Sequence, residues 1–89
     1  MARVTVRMFA TFREVAGCAE TSEEAGDVSG LLDALAARYG EAFGRLVRGG
    51  SAEGFVVLVN GRNIGQLQSL TTPLADGDEV SLFPPISGG

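Results

Sequence analysis

The chain has 89 residues, 45% of them hydrophobic and 20% charged, with a formal net charge of −4. That length closes one hydrophobic core but leaves no room for a catalytic cleft between two domains, and that apolar share excludes a disordered chain. The seven basic residues are all Arg and are scattered rather than gathered into a stripe, which argues against nucleic acid as a partner because phosphate binding needs clustered positive charge.

Val4, Val6 and Met8 alternate with Thr5, Arg7 and Phe9, the period of a strand with one face on a core. Residues 11–16 suit a short helical turn that Gly17 ends. Residues 19–25 are polar and acidic; as a strand they belong at a sheet edge, where Glu20, Glu23 and Glu24 discourage pairing with another sheet. Val28, Leu31, Leu32, Leu35 and Tyr39 recur at helical spacing, with Asp27 placed to cap the start and Gly40 the end. Gly30 in the first turn is a weak point, worth about 1 kcal/mol against Ala. Residues 41–47 suit a second short helix before the Gly49-Gly50-Ser51 loop.

Residues 55–59 form a continuous apolar run, expected to be a strand buried on both faces or nearly so. Asn60-Gly61 is a strong turn signal, after which residues 62–65 are expected to return as a short strand and 67–73 to be an irregular connection. Asp76-Gly77-Asp78 reads as a turn and Glu79–Phe83 as the last strand, with Val80 and Leu82 on one face and Ser81 and Phe83 on the other. Pro84-Pro85 stops that strand, since proline lacks the amide proton of a sheet ladder. The order strand, strand, helix, strand, strand, strand is an α+β arrangement: residues 1–83 as the domain and 84–89 as an extended tail.

The absences sort the chemistry. There is no His and one cysteine, Cys18, so the sequence carries no Ser-His-Asp or Cys-His arrangement, no zinc cluster and no internal disulfide. Without Lys it lacks a phosphate-cradling loop of the G-x-x-x-x-G-K type, so ATP would have to be handled by a partner. Asp76, Asp78 and Glu79 read as turn residues rather than an acid pair or metal site, and Arg38, Arg45 and Arg48 as a solvated helix face. No metal site and no resident cofactor is expected. No run spans a bilayer, and Met1-Ala2-Arg3 leads into an alternating segment rather than a signal-peptide core, so a cytoplasmic protein is the expectation.

The tail is the chemically distinctive part. A rigid diproline stop, the spacer Ile86-Ser87 and the side-chain-free Gly88-Gly89 make a thin peptide that can enter a channel where any Cβ would clash. A frayed end without function is the alternative reading.

The run A-D-G-D-E-V-S-L-F-P-P-I-S-G-G from Ala75 to Gly89 resembles the end of the MoaD/ThiS sulfur-carrier family, most closely the small subunit of molybdopterin synthase. The opening V-x-V-R-M-F-A-T-F-R-E-V-A-G, the helix V-S-G-L-L-D-A-L-A-A-R-Y-G and the V-N-G before the hairpin extend the likeness over most of the chain. Archaeal small modifier proteins share the same ending.

That resemblance implies the ubiquitin-like β-grasp fold, a mixed sheet of about five strands on one main helix, with the first and last strands as parallel neighbours. Phe9 and Phe83 would then fall near the end of the sheet where the tail leaves, an apolar docking patch for a partner. The resemblance further implies that an adenylating enzyme converts the Gly89 carboxylate to an acyl-adenylate, which a sulfur donor turns into a thiocarboxylate. Gly88 would give clearance, Ser87 and Ile86 would touch the channel wall, and the large subunit of molybdopterin synthase would receive the tail and supply the remaining chemistry. Two alternatives remain: conjugation of Gly89 to target lysines as a protein modifier, and sulfur delivery to thiamine, cysteine or transfer RNA.

Overall fold

The computed structural model describes residues 1–48 and 55–84. In chain order the elements are β1 (Ala2–Met8), α1 (Thr11–Ala16), β2 (Glu20–Ala25), α2 (Val28–Tyr39), α3 (Glu41–Arg48), β3 (Val56–Val59), β4 (Arg62–Asn63) and β5 (Glu79–Phe83). They form one sheet with the strand order β2-β1-β5-β3-β4. β1 is antiparallel to β2, from Ala2 opposite Ala25 to Arg7 opposite Glu20. On its other side β1 runs parallel to β5, from Thr5 opposite Glu79 to Met8 opposite Leu82. β5 is antiparallel to β3, and β3 to the short β4.

The alternation of β1 sends Ala2, Val4, Val6 and Met8 to the buried face, where Val57, Val59, Val80 and Leu82 join them. Onto that face α2 sets Val28, Leu31, Leu32 and Leu35, all buried. Asp27 caps the helix as expected, its Oδ1 accepting from the Gly30 amide at 2.8 Å. Gly30 is therefore less of a flaw than its propensity suggests, because a Cβ there would stand 3.2 Å from the same Asp27 Oδ1. Gly40, at φ 96°, ends α2 and lets α3 fold back to bury Phe43. Phe43 lies 5.4 Å, ring centre to ring centre, from the fully buried Phe12 of α1, and Phe55 packs 6.0 Å from Phe12 on another side. These three rings close the end of the core at which β1 and β5 finish.

Three expectations change. β3 is not buried on both faces: Val57 and Val59 are buried while Val56 and Leu58 are half-buried, because among the described residues the helices cover only one side of the sheet. The strand expected over 62–65 ends at Asn63, since the Asn63 side chain accepts from the Gly65 amide at 2.8 Å and starts a single 3-10 turn, Ile64–Gln66. The connection over 67–73 is also more ordered than irregular, with a second 3-10 turn at Ser69–Thr71. The Asn60-Gly61 turn is as expected: both residues are left-handed, at φ 53° and 86°, the conformation of a two-residue hairpin loop whose twist matches the strands.

A five-stranded mixed sheet with its first and last strands parallel at the middle, clasping one main helix, is the β-grasp, ubiquitin-like architecture. One of its turns is strained. The Phe12 amide donates to the Phe9 carbonyl at 3.1 Å, closing a turn whose second residue, Ala10, has φ 51° and ψ −121°, a type II′ position that normally takes glycine. A non-glycine residue there costs about 1–3 kcal/mol, whereas the added freedom of glycine in the unfolded chain returns at most about 1 kcal/mol. Ala10→Gly is therefore expected to raise the unfolding free energy by about 1 kcal/mol in urea titration; a loss of stability would contradict the assigned turn.

Candidate functional site: the base of the C-terminal tail

The sequence assigns chemistry to Gly89 and accessory roles to Gly88, Ser87 and Ile86. All four lie outside the described residues, which end at Pro84. What the structure describes is the platform from which the tail departs.

That platform is built by the parallel pairing of β1 and β5. Met8 stands opposite Leu82 on the buried face, so the next residue of each strand, Phe9 and Phe83, turns to the outer face. The Phe9 amide donates to the Leu82 carbonyl at 3.2 Å, which carries the pairing one residue past β1. The two rings stack, with centres 4.4 Å apart and planes 5° from parallel. Phe9 is 38% exposed and Phe83 half-buried. The sequence expectation that these two aromatics share one end of the outer face holds, and they are in contact as well.

Two residues of the patch were not singled out from sequence. Val56 stands opposite Phe83, and Leu58 opposite Ser81; both are half-buried on the outer face. A run that reads as uniformly apolar gives no periodic signal of which side chains leave the core. With Phe9 and Phe83 they form an apolar strip across β1, β5 and β3 beside the tail's exit. Charges farther along the same face are already paired: Arg7 Nη1 lies 3.3 Å from Glu79 Oε2, and Arg3 Nη1 3.2 Å from Glu24 Oε2. The strip is therefore flanked by exposed ion pairs, each worth little energetically.

The other candidates take structural places. Asp76 Oδ1 accepts from the Arg3 amide at 2.8 Å. Asp78 accepts from the Ala75 amide through Oδ2 and from Asn60 Nδ2 through Oδ1, and Glu79 pairs with Arg7. These acids clamp the turn before β5, and no group of acids, Cys and His suited to a metal occurs among the described residues. Arg38 reaches Glu23 at 3.4 Å and Thr21 Oγ1 at 3.1 Å, and Arg45 pairs with Glu41 one helical turn away. Cys18 is half-buried, with Sγ 3.5 Å from Tyr39 Oη.

The fold, with the end of β5 beside the Phe9–Phe83 stack, defines a small ubiquitin-like domain. The profile of the ThiS family matches residues 6–89, and the chain belongs to that family. Small archaeal modifier protein 3 of Haloferax volcanii is 43% identical over 94% of this chain and 96% of its own length. The solution structure of small archaeal modifier protein 1 from Methanosarcina acetivorans superposes with a TM-score of 0.87 at 35% identity, covering 100% of this chain and 98% of that one. A complex of subunits 1 and 2 of the molybdopterin-converting factor from Helicobacter pylori contains a chain that is 26% identical, with a TM-score of 0.61, covering 98% of this chain and 99% of that one. Association with partner proteins is thus found among its structural neighbours. Among the described residues no helix is long and apolar enough to cross a membrane.

Phe9 and Phe12 are three residues apart and face opposite ways, which makes them a direct test of the platform. Phe12→Ala, in the core, is expected to cost about 3–5 kcal/mol. Phe9→Ala, which loses a ring stack and partial burial, is expected to cost about 1 kcal/mol. Equal losses in chemical unfolding would place Phe9 in the core and remove it from the surface strip.

Proposed function

We propose that this chain is a sulfur carrier: a partner enzyme adenylates the Gly89 carboxylate, and a sulfur donor then converts it to a thiocarboxylate. The need for activation is chemical. A carboxylate is a poor electrophile because its charge is delocalised and its oxygen is a bad leaving group. Attack of a carboxylate oxygen on the α-phosphorus of ATP releases pyrophosphate and leaves a mixed anhydride, from which a sulfur nucleophile displaces AMP. The sequence holds no phosphate-binding loop and no Lys, in keeping with a chain that is a substrate of its activating enzyme. No cofactor is held between steps; the adenylate and the terminal thioglycine are transient covalent states of Gly89.

The observation that carries this reading is the strip of Phe9, Phe83, Val56 and Leu58 at the root of a tail ending in Gly88-Gly89. An apolar patch rimmed by polar residues suits protein docking, and aromatic side chains supply large contact area at a partner surface. Phe9 and Phe83 hold the activating enzyme or acceptor, Ile86 and Ser87 touch the wall of its channel, and Gly88 gives the clearance the terminal carboxyl needs. In the finer form of the proposal, the acceptor is the large subunit of molybdopterin synthase, and this chain is the sulfur-donating small subunit, with no turnover alone, working in the cytoplasm. The likeness to a molybdopterin-converting factor subunit supports it.

The 43% identity to a small archaeal modifier protein supports a second reading, in which activated Gly89 is joined to lysines of target proteins. Having no Lys of its own, the chain would then add singly rather than as lysine-linked polymers. Delivery of sulfur to thiamine, cysteine or transfer RNA is a further variant of the carrier reading. Intact-protein mass spectrometry of the chain from its native host separates these. A carrier is expected to show oxygen-for-sulfur exchange localised to Gly89, whereas higher-mass adducts in host lysate without that exchange would favour the modifier. Neither species, in a chain with Gly89 intact, would sink the proposal.

Docking through the strip gives a separate expectation. Phe9→Asp should weaken association with the adenylating enzyme by at least about tenfold, as for a central aromatic anchor, while the unfolding curve stays cooperative. Unchanged affinity in a titration would remove Phe9 from the interface.

A further inference from the structure

We propose that the cleft between the β3–β4 hairpin and residues 67–73 is a second docking site, for a partner-protein segment that presents a carboxylate side chain beside an aliphatic one. The cleft has a volume of about 650 Å³ and opens to solvent, within the roughly 300–1,000 Å³ range of sites that hold small ligands or side chains. It is lined by the buried Val59 and Thr72, 6% and 5% exposed, by the half-buried Leu67, and by the exposed Asn60, Arg62, Gln68 and Pro73.

Charge gives the occupant its sign. Arg3, Arg7, Arg38 and Arg45 are held in ion pairs, whereas the guanidinium of Arg62, like that of Arg13 outside the cleft, has neither an ion pair nor a hydrogen bond among the described residues. The Gln68 carboxamide, which lines the same cleft, is likewise without a hydrogen bond among the described residues. Asp78, the carboxylate joined to the hairpin through Asn60, has both oxygens engaged by Asn60 Nδ2 and the Ala75 amide. An incoming carboxylate would meet a planar guanidinium able to bind it through two parallel hydrogen bonds and an amide able to donate a third. The apolar floor accommodates an aliphatic side chain next to it.

The wall of the cleft is preformed. Thr72 Oγ1 accepts from the Gln68 amide at 3.0 Å and donates to the Ser69 carbonyl at 2.7 Å, and Thr71 Oγ1 donates to the Gln68 carbonyl at 2.7 Å. The Val28 amide donates to the Thr72 carbonyl, tying this turn to the start of α2. Within it Ser69 is left-handed at φ 54°, a strained state that persists only where its surroundings over-determine it and that concentrates at binding sites. A wall already ordered costs less to bind against.

Position separates this site from the tail. Arg62 pairs with Val59, and Val59 with Val80, three residues before Phe83 along β5, so the cleft lies about 10 Å along the strand from the Phe9–Phe83 stack. One partner can occupy the cleft while another handles the tail. This inference does not depend on sulfur being the cargo of Gly89.

The test uses the full chain, ¹⁵N-labelled, titrated with N-acetyl-leucine, which joins a carboxylate to an isobutyl group, and with N-acetyl-leucinamide as the uncharged control. The acid is expected to shift the Arg62 Nε–H, the Gln68 side-chain amide and the backbone amides of residues 59–62 and 67–72, saturably at millimolar concentration. The amide control should bind at least about fivefold more weakly. Arg62→Gln, whose remaining spectrum reports an intact fold, should reduce the acid to the level of the control. Absence of shifts in these residues, equal binding of acid and amide, or acid binding unaffected by Arg62→Gln would each overturn the proposal.

Discussion

Everything at the working end depends on the parallel pairing of β1 with β5. These strands lie more than seventy residues apart in sequence, and their register, from Thr5 opposite Glu79 to Met8 opposite Leu82, fixes both faces of the sheet at once. A slip of one residue would send Val80 and Leu82 to the outer face and Phe83 into the core. The turn before β5 prevents such a slip. Asp76 takes the Arg3 amide, the Gly77 amide donates to the Arg3 carbonyl and the Thr5 amide to the Asp78 carbonyl. Asn60, in the opposite hairpin, brackets β5 from the other side: its backbone amide donates to the Glu79 carbonyl, and its side-chain Oδ1 accepts from the Glu79 amide. The acids that the sequence reads as turn residues are indeed in the turn, where they clamp the register of β5.

Much of the fold was legible in the sequence because local signals and burial agreed. The alternation of β1, the apolar stripe of α2, its Asp27 cap and the Asn60-Gly61 turn each say what the tertiary structure also requires. β2 was hard to read for a physical reason: of its inward positions only Ala25 is buried and apolar. Thr21 and Glu23 are half-buried beneath α2, where Arg38 satisfies them. A polar contact supplied from a helix seventeen residues away leaves no periodicity in the strand. β3 misled in the opposite direction, since a wholly apolar run does not say that Val56 and Leu58 face outward.

The site was legible in part. The strand alternation put Phe9 and Phe83 on one end of one face, and the structure added their 4.4 Å stack and the contributions of Val56 and Leu58; Gly89, to which the family resemblance and the terminal glycines point, lies outside the described residues. Ala10 was invisible, because a type II′ turn with Ala in the glycine position contradicts the usual turn chemistry. That turn sends Phe9 outward and Phe12 into the core within three residues, so one local strain separates the exposed aromatic stack from the hydrophobic centre.

In the proposed function Gly89 is the group acted on, and the folded domain serves to present it to an activating enzyme. ATP–pyrophosphate exchange catalysed by the adenylating enzyme of the same organism measures that step directly, with the full chain compared against one lacking only Gly89. Exchange is expected to depend on the full chain and to be absent with the shortened one, whose domain remains folded. Equal exchange with both chains would contradict it.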